Sequence, residues 1–212
     1  VRTDDAHLSI GEGSAKVKGQ YVADTGDFDA TINTQDLPLG TFTKDMTTPI
    51  TGNIDGEMRI LGKNNQVTDV VGAIEGRQIG IHGVVVDTAK ANFTHADNRT
   101  NITVVGTMGD GTLSGYGYIQ NGNVDATISG NALPLTALSP IIGQDVDGTL
   151  NTSFAIKGIV DNPNVTGTVW GQEVHYKGAR FNNIHGDIKL DNHILTITNG
   201  HIGDGDGGYD VN

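Results

Sequence analysis

The chain writes one phrase twice. "GDFDATINTQDLPLG" occupies 26–40, and about ninety-six residues later "GNVDATISGNALPLT" occupies 122–136, so Asp29, Ala30, Thr31 and Ile32 return as Asp125, Ala126, Thr127 and Ile128 before a second Leu-Pro-Leu. A gapless match of this length marks an internal duplication, and a duplicated unit must supply its own repeating fold. The duplication extends further. "NIDGEMRILGK" parallels "DVDGTLNTSFAIKG", "VVGAIEGRQIGIHG" parallels "NVTGTVWGQEVHYKG", and "VVGTMGDGTLSGYG" parallels "TNGHIGDGDGGYD". The opening "IGEGSAKVKGQY" resembles that last block. The expected organisation is therefore the tail of a preceding unit over 1–25, one β repeat over 26–121 and a second over 122–212, cut from a longer array.

Within each unit the apolar residues alternate. Leu150, Thr152, Phe154 and Ile156 fall on one side of "GTLNTSFAIKG" and Asn151, Ser153 and Lys157 on the other, the period of two that marks a strand with one dry face. Val124, Ala126 and Ile128 do the same, as do Ile184, Ile188 and Leu190, and Ala89, Ala91 and Phe93. Between them stand "GKNNQ", "IQNGN", "DNPN" and "LDNH", whose Gly and Asn tolerate the positive φ of tight hairpins. Helix is confined to one or two turns at "PLTALSPIIG", with a weaker counterpart at "PLGTFTKDM". The fold class expected is all-β: an elongated, curved, repetitive sheet with little helix. Aromatic residues make up only 5% of the chain, thin material for a compact core.

Composition removes several functions. The net charge of −12 repels a nucleic-acid backbone. The absence of Cys excludes disulfides, thiolate zinc sites and Cys nucleophiles. No apolar run approaches the ~20 residues of a membrane-spanning helix, and no signal-peptide pattern opens the chain, so any anchor is expected outside this segment. "GDGDGGYD" sets Asp204, Asp206 and Asp210 among glycines at a spacing similar to calcium-binding β-roll repeats. Its repeat counterpart keeps Asp110 but has Thr112 and Gly117 at the other two places, so no metal is expected. The seven His show no zinc-ligand spacing. The Asn-x-Ser/Thr sequons at Asn92, Asn98, Asn101, Asn151 and Asn164 follow from Asn and Thr enrichment in turns and outer faces. Trp170 falls on the polar phase of its strand, to cap a rim or to pack between neighbours. No nucleophile, phosphate loop or paired acid stands in the context its chemistry requires, so neither a catalytic site nor a cofactor is expected.

The apolar phase is the candidate site. It is lined by Phe28, Ile32, Ile54, Met58, Ile60, Phe93, Ile128, Phe154, Ile156, Ile188, Leu190, Leu195 and Ile197. A strip of that size exceeds the few hundred Å² of apolar surface that soluble monomers usually expose. The sheet must curl, close on a second sheet, or carry a ligand. Acyl chains would be held by such a U-shaped groove through shape and apolar contact, about 0.8 kcal/mol for each buried methylene.

A strand ending in Leu-Pro-Leu, a short apolar turn, the "DG.L....IKG" strand, the "NPNVTGTV" hairpin and the closing "ITNGHIGDGDGGYDV" together resemble the TamB family of bacterial envelope proteins, related to AsmA-type proteins. "GKNNQVTDVVG" departs from that pattern, lacking the counterpart of Pro163. The resemblance implies a periplasmic, inner-membrane-anchored β structure whose apolar trough carries phospholipid toward the outer membrane. It also implies support of outer-membrane protein assembly, with an outer-membrane barrel of the BamA/TamA type as partner. The rival expectation is a structural or adhesive β-repeat module of a bacterial surface, with a packed interior and no lipid. End-to-end self-association is expected through the first and last strands, with Val17 placed on the first and Lys16 and Lys18 facing the acidic "DGDGGYDVN" of the next copy.

Overall fold

A computed structural model describes residues 1–192, 194–203 and 207–211. The chain is all-β. Its strands are β1 (Arg2–Ile10), β2 (Gly13–Val22), β3 (Asp27–Pro38), β4 (Ile50–Lys63), β5 (Gln66–Ile81), β6 (Val84–Ala96), β7 (Arg99–Met108), β8 (Gly111–Gln120), β9 (Asn123–Pro134), β10 (Val146–Ile159), β11 (Asn162–Tyr176), β12 (Ala179–Asp191), β13 (Ile194–Gly203) and β14 (Gly208–Val211). Strand order follows chain order. The described pairings are antiparallel and join consecutive strands. Two compact units share the chain: Val1–His82 with Val86–Val104, and Gly83–Val85 with the residues from Val105 onward.

Turn chemistry explains the hairpins. Asn64 and Asn65 (φ 52° and 61°), Asp97 and Asn98 (50° and 59°), and Asn121 and Gly122 (49° and 74°) all adopt left-handed backbone, the conformation that two-residue hairpin loops demand and that Asn, Asp and Gly accept most readily. The "DNPN" turn is shorter than its sequence suggests. Asn162 already belongs to β11, and Pro163 sits in register opposite Gly158, near the strand start where a missing N–H is tolerated. The helical turns are α1 (Gly40–Thr43), a 3-10 turn over Leu135–Leu138, and α2 (Ser139–Ile142). Each follows a Leu-Pro-Leu, as the sequence led us to expect.

The repeat is also written in backbone geometry. In the first unit Asp36, Gly52 and Gln78 have φ of 51°, 107° and 51° on β3, β4 and β5; in the second, Ala132, Gly148 and Glu173 have φ of 50°, 120° and 50° on β9, β10 and β11. These residues form a line of bulges across three strands, with register shifts between Thr34 and Leu37, Thr51 and Asn53, Leu150 and Thr152, and Asp147 and Thr149. A Cβ at Gly52 would lie 2.5 Å from the Gln78 carbonyl oxygen, and one at Gly148 2.7 Å from that of Glu173. Both places therefore require glycine. The extra residue of each bulge shifts the alternation by one, which returns Leu37 opposite Ile54 and Leu133 opposite Leu150. Leu37 and Leu133 are buried.

In each unit the bulge on the first of these three strands is held by a side chain from the next strand. Asp36 N–H donates to Asp55 Oδ1 at 2.7 Å, and Ala132 N–H donates to Asn151 Oδ1 at 2.9 Å. Truncating Asn151 to Ala strands a part-buried donor, and we expect urea unfolding of that variant to show a loss of about 1 kcal/mol. The first unit's clamp is ionic as well, because Arg77 bonds both Asp55 and Asp36. The Asp36 N–H, and after it the Arg77 guanidinium, hold the Asp55 carboxyl below its ordinary 3.8 against the opposing effect of burial. A carboxyl depressed in the folded state contributes stability that is present in full above the unfolded value and lost as pH falls through the folded one. Asn151 has no such titration. Hydrogen exchange should therefore show protection of the Asp36 amide falling relative to that of Ala132 below about pH 4.

Val17 does not lie at an edge. It pairs with Ala6 of β1 on one side and Ile32 of β3 on the other, so its N–H and C=O serve the interior of the sheet. The first strand is β1, ahead of the Gly11–Glu12 turn. A proline at 17 would break an interior ladder rather than blunt an outer one.

Candidate functional site: an apolar sheet face

Directly opposed residues in an antiparallel pair project from the same face, so the register assigns faces without further assumption. In the first unit Val17 stands opposite Ile32 and Ile32 opposite Met58; Ala30 stands opposite Ile60 and Ile60 opposite Val70; Tyr21 stands opposite Phe28. Leu37 opposite Ile54 and Gly56 opposite Ile74 extend the same face. Phe93 joins it from β6, since its ring lies where a Cβ of Gly72 would be, 2.5 Å from Cζ. The six expected residues of this unit, Phe28, Ile32, Ile54, Met58, Ile60 and Phe93, thus share one face.

The second unit repeats the arrangement. Phe154 stands opposite Ile128 on one side and Gly167 on the other; Gly167 faces Ile188, and Ile188 faces Ile197. A parallel row runs Ala126, Ile156, Val165, Leu190, Leu195. The seven expected residues here, Ile128, Phe154, Ile156, Ile188, Leu190, Leu195 and Ile197, again share one face. Val165 and Val169, which the same alternation could have found, are missing from the expected lining, as is Leu133, which the bulge at Ala132 puts out of phase; Leu150 and Ile184, already on the apolar phase by sequence, lie on this face too. At the Leu-Pro-Leu end of this face Leu135, Val146 and Val174 are buried together, with Leu138, Leu150, Phe181 and Ile184 packed against them.

A phenylalanine ring packs over a glycine at three places. Phe28 covers Gly62, Phe93 covers Gly72 and Phe154 covers Gly167. Rings leaning over bare glycines lower the relief of the face there.

The opposite face carries the charge. Asp29 accepts hydrogen bonds from Arg59 Nε and Nη2, at 3.0 and 2.8 Å, and these bonds hold its carboxyl below the ordinary value. Lys90 pairs with Glu75 at 2.6 Å and Lys157 with Asp125 at 3.7 Å. Surface pairs of this kind contribute little stability; they mark which face meets water. None of the positions named above on the apolar face is charged. Trp170 lies on the polar face, opposite Asn151 on one side and His185 on the other.

The apolar face is not sealed. No large side chain among the described residues is fully buried, and Ile128, Ile197 and Leu195 are 39%, 53% and 62% exposed. No family model, curated protein or solved structure matches the chain. Function is therefore read from the face itself. Among the described residues no group of three His, Cys, Asp or Glu is placed to hold a metal; Asp204 and Asp206 of the calcium-like stretch, and His193, lie outside the described residues.

Proposed function

We propose that this chain is a segment of a cell-envelope protein whose apolar β face binds phospholipid acyl chains and carries them between inner and outer membranes, in support of outer-membrane biogenesis. The observation that carries the proposal is the separation of faces. Aliphatic and Phe side chains fill one side of each unit while the ion pairs stand on the other, and the apolar side keeps exposed Leu and Ile that a sealed core would have covered. An acyl chain laying about ten methylenes on such a face gains roughly 8 kcal/mol before the losses of ordering. That is enough for useful affinity without any headgroup contact, and the low relief over Phe28, Phe93 and Phe154 suits a sliding ligand better than a fixed one. The resemblance to the TamB family gives the same substrate, and with it a periplasmic location, a membrane anchor elsewhere in the protein and an outer-membrane barrel partner. No catalytic group enters the proposal.

The test is direct. Protein purified without detergent is extracted into organic solvent and the extract analysed by mass spectrometry, with a fluorescent fatty-acid displacement titration alongside. Recovered phospholipid together with saturable displacement is the expected result. Folded protein that yields neither would overturn the lipid proposal and favour a structural or adhesive repeat.

A further inference from the structure

The polar face of the second unit carries a row of directly opposed residues from five neighbouring strands: Asn151, Trp170, His185, His201 and Asp210. Its two histidines are sixteen residues apart in sequence and face to face in the sheet. Their rings stack with centroids 5.3 Å apart and planes inclined by 22°. Asp210 Oδ1 lies 2.8 Å from His201 Nδ1. A carboxylate in that position favours the proton on Nδ1, which leaves the Nε2 lone pair free and fixes the ring, as in carboxylate–histidine–metal sites. The His201 ring lies over two glycines, where any side chain would collide with it. A Cβ at Gly208 would meet His201 Cε1 at 2.5 Å and Nε2 at 2.8 Å, and one at Gly203 would meet Nε2 at 3.3 Å. On the other side, the His185 ring makes no hydrogen bond to a described residue.

The geometry points to a surface chelate for a divalent transition cation, with His185 and His201 as the two nitrogen ligands and Asp210 as a positioning residue. Metal–imidazole bonds of about 2.1 Å form a right-angled corner when the two nitrogens stand about 3 Å apart. With His201 held by Asp210, the chelate requires the His185 ring to turn about its side-chain torsions until one of its nitrogens approaches His201 Nε2. Imidazole donors suit copper, nickel and zinc, and among these Cu²⁺ binds most tightly. The chain's net charge of −12 favours any cation. This site lies on the face opposite the proposed lipid surface and stands or falls apart from it.

Isothermal calorimetry of the untagged chain with Cu²⁺, and separately with Ni²⁺, tests the chelate. One ion per chain is expected, lost in His185→Gln and in His201→Gln, while Asp210→Asn weakens it by about 10–100-fold. His175→Gln, on β11 away from the row, should bind as the unaltered protein does. Electron paramagnetic resonance of the Cu²⁺ form should show two nitrogen ligands, and this holds as a check even where a variant folds poorly. A spectrum with fewer than two nitrogens, or a His185→Gln or His201→Gln variant that keeps the original affinity, overturns the proposal.

Discussion

Gly167→Val is expected to be among the most damaging single substitutions in the chain, lowering stability by roughly 3 kcal/mol or more in denaturant unfolding. A Cβ at Gly167 would sit 2.1 Å from the Ser153 carbonyl oxygen and 2.5 Å from Phe154 Cδ1. The first neighbour is backbone of β10, so the strands themselves must part, and trimming Phe154 to Leu should not restore stability. Gly72→Ala provides the contrast. Its Cβ would meet Phe93 Cζ at 2.5 Å, with the nearest backbone atom at 3.1 Å, so the obstruction is mostly a side chain. The double variant Gly72→Ala, Phe93→Leu should recover most of what the single change loses. If Phe154→Leu rescues Gly167→Val as fully as Phe93→Leu rescues Gly72→Ala, the assignment of the first clash to backbone is wrong.

A carboxylate placed on the apolar face should abolish the proposed acyl-chain binding while the sheet survives. Phe154→Asp and Ile188→Asp stand on either side of Gly167 in one cross-strand row, and both positions are half-buried rather than sealed. An ionised group there would have to lose hydration on contact with an acyl chain, at a cost of several kcal/mol, so displacement titrations should show affinity falling by about a hundredfold or more. Ser153→Asp, next in sequence but on the polar face opposite Ser129 and Thr168, should leave binding unchanged. Circular dichroism supplies the fold control. Folded Phe154→Asp and Ile188→Asp proteins that bind fatty acid as before would remove these residues from the lipid surface.

Much of this face was legible because its signal is local. A period of two survives any choice of partner strand, so Phe154, Ile156, Ile188 and Leu190 could be placed on one side before their neighbours were known. The bulges were harder. Leu37 and Leu133 fall out of phase with Ile32 and Ile128, and a slip of that kind looks like the end of a strand unless the extra residue at Asp36 or Ala132 is known to take positive φ. The histidine row was not legible at all, because it depends on register across five strands. His185, His201 and Asp210 have no shared spacing in sequence, and a bulge between His185 and Asp187 alters the count that simple hairpin pairing would give. Val17 was misplaced for a related reason: the Gly11–Glu12 turn is short enough to read as an irregularity inside one strand rather than the join between two.

Sequential strand order has a kinetic meaning. Each described pairing closes over a loop of only a few residues or a short helical turn, so forming the next hairpin never requires the chain to find a distant partner. Assembly can proceed by adding one strand at a time to an existing edge, in the order in which the chain emerges during synthesis. Loss of structure should run the same way in reverse, peeling from an outer strand toward the buried Leu135, Val146 and Val174, as in repeat proteins whose stability is a sum of nearest-neighbour contributions. Under mechanical load such a sheet would yield in steps of one hairpin, and could lose a terminal strand and regain it without passing through the unfolded state.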